Sequence, residues 1–368
     1  MAGFALYRLP RQTRVRVMVQ MLGDVETISG CEELNGREGF VFAPFCQTDA
    51  APLLLLNPDR VEVMEQDEVG RDKEILRLCD GMCSLRETGD AGTDAATLRE
   101  CYGEDFCRFH KALNENRFCK LVLARCEHID APRQSPIGLF ARACRLYPRM
   151  FVALVSTPQS GTWLMATPET LLSSDGQGHW KTIALAGTMA LEGDNLSFDN
   201  PSTANVQDIR WSQKNIQEQR YVATYIRKCL ERYAIGITED GPNTSRAANL
   251  VHLRSDFGFR LNDDSAVGNL IAELHPTPAV CGIKKDEARR FIIGNESAPR
   301  RYYSGFAGEL SITGETNLFV SLRCMELLAA GYDLYAGGGI LKDSEEQSEW
   351  EETVAKMATM REIIFNGK

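Results

Sequence analysis

Residues 1–60 alternate short apolar runs with turn formers. VRVMVQML (15–22), FVFAPF (40–45) and PLLLL (52–56) have the length and the β-branched, aromatic or leucine content of strands. The stretch 57–95 is polar and charged, with a helical pattern only in EILRLC (74–79), and reads as a lid or a surface excursion. From residue 96 the patterns sharpen. ATLRECYGEDFCRFHKALNE (96–115) predicts a helix, and strands are predicted at CKLVLARCEHI (119–129), MFVALVST (150–157), TWLMATPETLLS (162–173) and WKTIALAGTM (180–189). A long amphipathic helix is expected over 206–233, where Ile216, Val222, Tyr225, Ile226, Cys229 and Leu230 recur at helical spacings. NLVHLRSDFGFRL (249–261) alternates as a strand and SAVGNLIAELH (265–275) reads as a helix. Strand pairs follow at 302–312 and 316–341, then a last helix at 346–365. Long antiparallel runs broken by single helices predict an α+β fold, with layered antiparallel sheets flanked by helices rather than a strict βαβ alternation.

Composition narrows the partners. In 368 residues, 43% hydrophobic content supports a sizeable core and excludes wholesale disorder. A net charge of −10 argues against a nucleic-acid binder or a protein of anionic membranes, so any anion site must gather its own arginine, lysine or metal. The twelve cysteines are spread from Cys31 to Cys324 without a paired CxxC, and most read as small buried hydrophobes of a reducing cytosol. The N-terminal residues lack the apolar core of a secretory signal, and no run approaches the roughly 20 apolar residues of a membrane span. A soluble cytoplasmic protein is expected.

Three groups of residues carry candidate chemistry. On the 206–233 helix, Asn215 and Glu218 are three apart; on the last helix Glu349 and Glu352 are three apart, with Lys356 one turn on. Carboxylates from two helices suit a hard, oxygen-loving cation, although acidic helix residues more often face solvent. YAGGGIL (335–341) reads as a glycine-rich turn that would let backbone N–H groups approach an anion, yet it matches neither GxGxxG nor GxxxxGK[ST]. Lys120 within one apolar strand run and Glu169 after a proline in another are unusual, because neither residue type is buried without reason. No GxSxG elbow or HExxH helix is present.

Taken in order, KLVLAR (120–125), ATPETLL (166–172), ALAGT (184–188), LHPTPAVCG (274–282), YYSGFAG (302–308), the GGGI segment and EWEET with Lys356 resemble the chorismate-utilising enzymes. These comprise isochorismate synthase, salicylate synthase, anthranilate synthase component I and aminodeoxychorismate synthase component I, and the likeness covers about residues 116–365. Lys120, Ala186 in place of the lysine of a KGT motif, and LHPTPAV are similar to isochorismate synthase or its relative salicylate synthase, the former favoured. The resemblance implies the chorismate-binding enzyme fold, with 1–110 as its less specific N-terminal part and 111–368 as the catalytic core of one continuous domain. It implies that Lys120 activates water for attack at C2 of chorismate and that Glu169 protonates the departing C4 hydroxyl. Glu218 and Glu352 match the Mg²⁺ ligands, with Glu349 as a water-mediated partner. Gly187, Thr188, Tyr303, Arg323, Gly338 and Lys356 match residues that hold the substrate carboxylates, and His275 a position lining the site. No obligate glutamine amidotransferase partner is implied, and menaquinone and siderophore synthesis stay open as destinations of the product. Two positions depart from the family pattern: Asn215 stands where an acidic residue is usual, and Gln219 where a histidine is.

Moving a hydroxyl from C4 to C2 with an allylic shift gains and loses no electrons, in keeping with the absence of nicotinamide and flavin fingerprints. It needs a base on one side of the ring and an acid on the other. The base must be a neutral amine, far from a lysine's reference pKa of about 10.4, and the acid must keep its proton near neutrality. Lys120 and Glu169 are therefore expected on opposite faces of the substrate.

Overall fold

The computed structural model describes residues 3–87, 95–190, 210–247, 250–311 and 313–366. Two antiparallel sheets are stacked face to face. The first has the order β6-β2-β1-β8-β9-β16-β17-β7. Its strands are β1 (Gly3–Arg8), β2 (Arg14–Gln20), β6 (Arg60–Glu65), β7 (Leu121–Ile129), β8 (Phe151–Thr157), β9 (Gly161–Thr167), β16 (Cys324–Leu327) and β17 (Tyr332–Ile340). The second has the order β12-β13-β11-β10-β15-β14-β4-β5-β3. It contains β3 (Glu26–Ile28), β4 (Gly39–Ala43), β5 (Leu53–Leu56), β10 (Thr170–Ser174), β11 (Trp180–Ala190), β12 (Ala234–Ala247), β13 (Leu250–Leu261), β14 (Phe306–Leu310) and β15 (Thr316–Val320). The helices are α1 (Gln66–Val69), α2 (Lys73–Met82), α3 (Ala95–Asn114), α4 (Pro136–Leu146), α5 (Gln213–Tyr233), α6 (Val267–Leu274), α7 (Lys285–Asn295) and α8 (Glu346–Phe365). Among the described residues no helix is long and apolar enough to cross a membrane.

Strand periodicity builds the layers. In β1, Ala5 and Tyr7 face the second sheet while Phe4 and Leu6 face the helices on the outside. In β9, Trp163 and Met165 face inward and Leu164 and Ala166 outward. Both sides are apolar because both are covered, so these strands read as continuous hydrophobic runs. The inter-sheet core includes Phe42 stacked on Tyr302 at 4.0 Å and Phe151 on Phe319 at 4.2 Å. Helices α4 and α8 pack on the outer face of the first sheet, α5 and α6 on that of the second. The layered α+β architecture expected from the sequence is the one observed.

Several local expectations change. Residues 60–65 are not a surface excursion: β6 pairs with β2, and Ile75 and Cys79 of α2 enter the core of the first sheet. Residues 88–94 lie outside the described residues, as do 206–209 and 249. The long helix is observed from Gln213, where the Ser212 hydroxyl accepts the Asn215 N–H at 3.2 Å. The GGGI segment is no turn but the last half of β17, with Gly337, Gly338 and Gly339 opposite Ala124, Leu123 and Val122 of β7. Glycine triplets resemble turns locally; inside a strand they mark close approach of other groups.

The chain passes between the sheets at Pro168 and Glu169, which link β9 of the first to β10 of the second. Elsewhere glycine enables tight contact: a Cβ on Gly305 would lie 1.8 Å from the carbonyl oxygen of Ala43. Gly305→Ala should therefore destabilise the protein by about 1–3 kcal/mol or more through forced backbone displacement. Gly294, in α7 with open space around its Cβ position, should gain up to about 1 kcal/mol on replacement by alanine. Urea unfolding of the two variants checks the contrast.

Candidate active site

One small cavity between the sheets, about 70 Å³, is lined by Glu169, Gly187, Thr188, Glu218, Tyr303, Arg323 and Lys356. Cavities of about 660 and 820 Å³ elsewhere are larger but contain none of these seven, so volume is a poor guide to the chemistry. Glu169 is anchored by its carbonyl, which accepts the Val320 N–H at 2.9 Å. Its side chain is buried, and burial pushes the carboxyl up to about 8 despite the opposing charges of Lys120 and Lys356. Glu169 thus keeps its proton at neutral pH.

Lys120, immediately before β7, has no exposed surface, and its Nζ lies 3.0 Å from Glu218 Oε1. Glu218 comes from α5, and Glu349 and Glu352 from α8 one turn apart. Each carboxylate holds one lysine: Glu218 holds Lys120, Glu349 holds Lys214, and Glu352 holds Lys356 at 2.7 Å. Burial raises the Glu218 carboxyl, but Lys120 and two further lysines outweigh it and hold the group below its ordinary value. Burial and the neighbouring Glu352 charge raise Glu349, against the pull of Lys214. Oε2 of Glu349 is buried without a hydrogen-bond partner. Among the described residues no three His, Cys, Asp or Glu side chains form a ready-made metal cluster. The donor chemistry nevertheless fits a hard divalent cation, with oxygen ligands only and one of them unsatisfied.

The β17 glycines make room for this cluster. A Cβ on Gly339 would stand 2.2 Å from Glu218 Oε1 and 3.1 Å from Lys120 Cε. On Gly338 it would meet Glu349 Oε2 at 3.2 Å and Glu352 Oε1 at 3.5 Å. Lys356 Nζ also donates to the Gly337 carbonyl at 2.8 Å, tying α8 to the strand.

Across the cavity, Gly187 forms a bulge in β11 with φ +74°, and Asn215 of α5 lies 3.1 Å from its Cβ position. Beside it, His252 of β13 is within 3.2 Å of Thr188 Oγ1 through Nδ1 and within 3.1 Å of Arg323 Nη2 through Nε2. A guanidinium only donates, so Nε2 accepts and the ring is neutral. Burial, then the charges of Arg323 and Lys356, hold the His252 pKa well below the ordinary histidine value. Arg323 itself has a left-handed φ of +45°, and burial pulls its guanidinium down to about 10.

Sequence reasoning missed His252, whose signal was a histidine on alternating strand 249–261, and Lys214, which pairs with Glu349. His275 is not among the residues that line this cavity. That residue follows α6, its Nε2 bonds the Pro44 carbonyl at 3.0 Å, and its ring meets Phe306 edge-on at 4.9 Å. Burial drives its pKa down to about 3, and it borders a separate cavity of about 410 Å³. The helix end points it behind the second sheet, away from the acid and the lysines. Lys120 and Glu352 reach the cavity through their partners Glu218 and Lys356, and Gly338 backs the two α8 carboxylates.

Comparison with known proteins follows the same outline. The family described as "Chorismate binding enzyme" matches residues 85–365. The salicylate biosynthesis isochorismate synthase of Pseudomonas aeruginosa is 31% identical over 254 residues, 69% of this chain and 52% of that protein. Isochorismate synthase MenF of Escherichia coli is 30% identical over 261 residues, 69% of this chain and 58% of its own. These alignments thus span little more than half the length of the relatives. Among solved structures, a putative 2,3-dihydroxybenzoate-specific isochorismate synthase from Bacillus anthracis superposes with TM-score 0.80 at 20% identity, covering 98% of this chain and 95% of that one. E. coli MenF gives 0.76 at 22% identity, covering 99% and 89%. Sequence and fold together make the chain a member of the chorismate-binding enzyme family.

Proposed function

We propose that the protein isomerises chorismate to isochorismate: water adds at C2, the C4 hydroxyl leaves as water, and both ring double bonds shift, from C1–C2 to C1–C6 and from C5–C6 to C4–C5. The observation that carries this reading is a carboxylic acid with its pKa raised to about 8, lining the same cavity as Arg323, Lys356 and the Glu218 carboxylate that holds buried Lys120. To act, Lys120 must give up the proton that it holds in its ion pair with Glu218; as the neutral amine it accepts the proton of the attacking water, and Glu169 delivers one to the departing hydroxyl. They arise from different places in the sandwich, Lys120 from the start of β7 and Glu169 from the link between the sheets, which suits attack and departure on opposite ring faces.

Arg323 clamps one substrate carboxylate with its planar fork, and neutral His252 fixes that fork in place. Thr188, the Gly187 N–H and the Tyr303 hydroxyl supply further donors around the ring. Tyr303 keeps its proton because burial raises its pKa. Glu218 and Glu352 would hold Mg²⁺, with Glu349 behind them; when bound, the ion offsets the charge of a substrate carboxylate. The alanine at 186 leaves the wall beside Gly187 uncharged, where a lysine would add a competing amine.

Incubation of the protein with chorismate and Mg²⁺ should yield isochorismate, and EDTA should abolish turnover. Pyruvate and salicylate as the main products would replace this reading by salicylate synthase. Lys120→Ala and Glu169→Gln should each lower kcat by about 10²–10⁴-fold with circular dichroism unchanged. Because the Glu169 pKa is raised, the active protonated form is complete well below pH 8 and is lost as pH rises through about 8. The wild-type kcat should fall on that limb; a rate flat from pH 7 to 9 would remove Glu169 as the acid.

A further inference from the structure

β7 is the last strand of its sheet, and its outer edge meets only a single bridge, of Leu121 with Gly282, among the described residues. The backbone groups of a buried edge must still find partners. A short chain segment begins the row and two side chains complete it. The Lys120 carbonyl accepts the Ile283 N–H at 3.1 Å, and the Val122 N–H donates to the Cys281 carbonyl at 2.7 Å. Beyond that point the Val122 carbonyl accepts Arg300 Nη2 at 2.7 Å, and the Ala124 N–H donates to Glu296 Oε1 at 2.8 Å. Arg300 pairs with Glu296 through bonds of 2.8 and 2.5 Å, and both side chains are almost wholly buried. The guanidinium also donates to the Val280 carbonyl at 2.6 Å and lies over the Phe45 ring at 4.2 Å. Val122 and Val280 line the catalytic cavity; the ion pair that holds them does not, and borders the separate cavity of about 660 Å³.

We infer that the Glu296–Arg300 ion pair is a side-chain extension of the ladder on β7 that positions Lys120. The inference rests on the proposed reading of Lys120 as the base. Lys120, Val122 and Ala124 alternate along the chain and so present their side chains on one face. A slip of an edge strand by one residue would turn that whole set away from the cavity. Partners on both edges oppose such a slip: Val122 and Ala124 stand opposite Gly339 and Gly337 of β17 on one side and meet the ion pair on the other. Arginine suits the place because its planar fork serves Glu296, Val122 and Val280 at once, which a lysine ammonium does not reproduce. Glu296 and Arg300 are thus positioning residues, whose effect reaches the substrate through Lys120.

The test uses the full chain and two variants. Arg300→Lys keeps the charge, so Glu296 is not left buried alone; Glu296→Met with Arg300→Met removes both charges together and serves should the first fail to fold. Amide hydrogen exchange of the segment 119–126, followed by mass spectrometry, should be faster in both than in the wild type. With chorismate and Mg²⁺, kcat should fall about 10- to 100-fold while KM stays within about threefold of the wild type. In a Lys120→Ala background the same substitutions should lower kcat no further, because the group they position is gone. A loss of equal size in that background would mark general damage and overturn the positioning role, as would an unchanged kcat in the single background. Unchanged exchange at 119–126 in a folded variant would overturn the ladder extension itself. Absence of isochorismate from the wild-type reaction would instead overturn the catalytic reading, and the exchange rates would still decide the ladder.

Discussion

Ionised groups buried together must balance one another, and the site between the sheets is arranged around that requirement. Glu218 and Glu349 would each cost several kcal/mol to bury ionised and alone, and each, like half-buried Glu352, has a lysine partner. The pairs draw on a strand edge and two helices, so the local neutrality depends on the register of α5 and α8 against β17. On the proposed reading, a dianion and a divalent cation arrive with opposite charges of equal size, and the balance survives their binding. Glu169 is the exception to pairing. It lies near two of these lysines yet is buried enough for desolvation to prevail, which is the condition for an acid rather than a carboxylate.

The second constraint is steric. Gly338 and Gly339 of β17 let the three carboxylates and the Lys120 side chain press against the strand, and Gly337 does so for the Tyr303 hydroxyl. The bulge at Gly187 does the same for the first turn of α5, since a Cβ there would meet Asn215. Neutral His252 bridges Thr188 and Arg323, binding three elements of the cavity wall into one hydrogen-bonded row.

Much of this was legible in the sequence because period-two patterning and family-like strings are local. The α8 helix, the strand at 151–157 and the helix at 95–114 appear within a residue or so of where patterning placed them. Elements that obey weaker local signals were lost. Helix α4 was overlooked although Ser135 caps it and Pro136 opens it, and β12 because an exposed, polar edge strand containing Pro242 lacks an apolar face. β6 alternates between exposed and half-buried positions and was read as loop for the same reason. At the site, seven of the residues named from sequence line one cavity. What sequence could not supply was the direction of side chains across long separations. Lys214 meets Glu349 across 135 positions, and His275 turns to Pro44 across 231.

The crossing at Pro168 and Glu169 has a mechanical meaning. Glu169 follows the covalent step from one layer to the other and is bonded through its carbonyl to Val320 of the second sheet, while Lys120 rides on the edge of the first. On the proposed reading, any shear of one sheet over its neighbour therefore appears directly as a change in the spacing of proton donor and acceptor. The sandwich would then work as a caliper, its jaws set by aromatic packing tens of residues away, and mutations deep in that packing would alter the proposed proton delivery without touching the ligand.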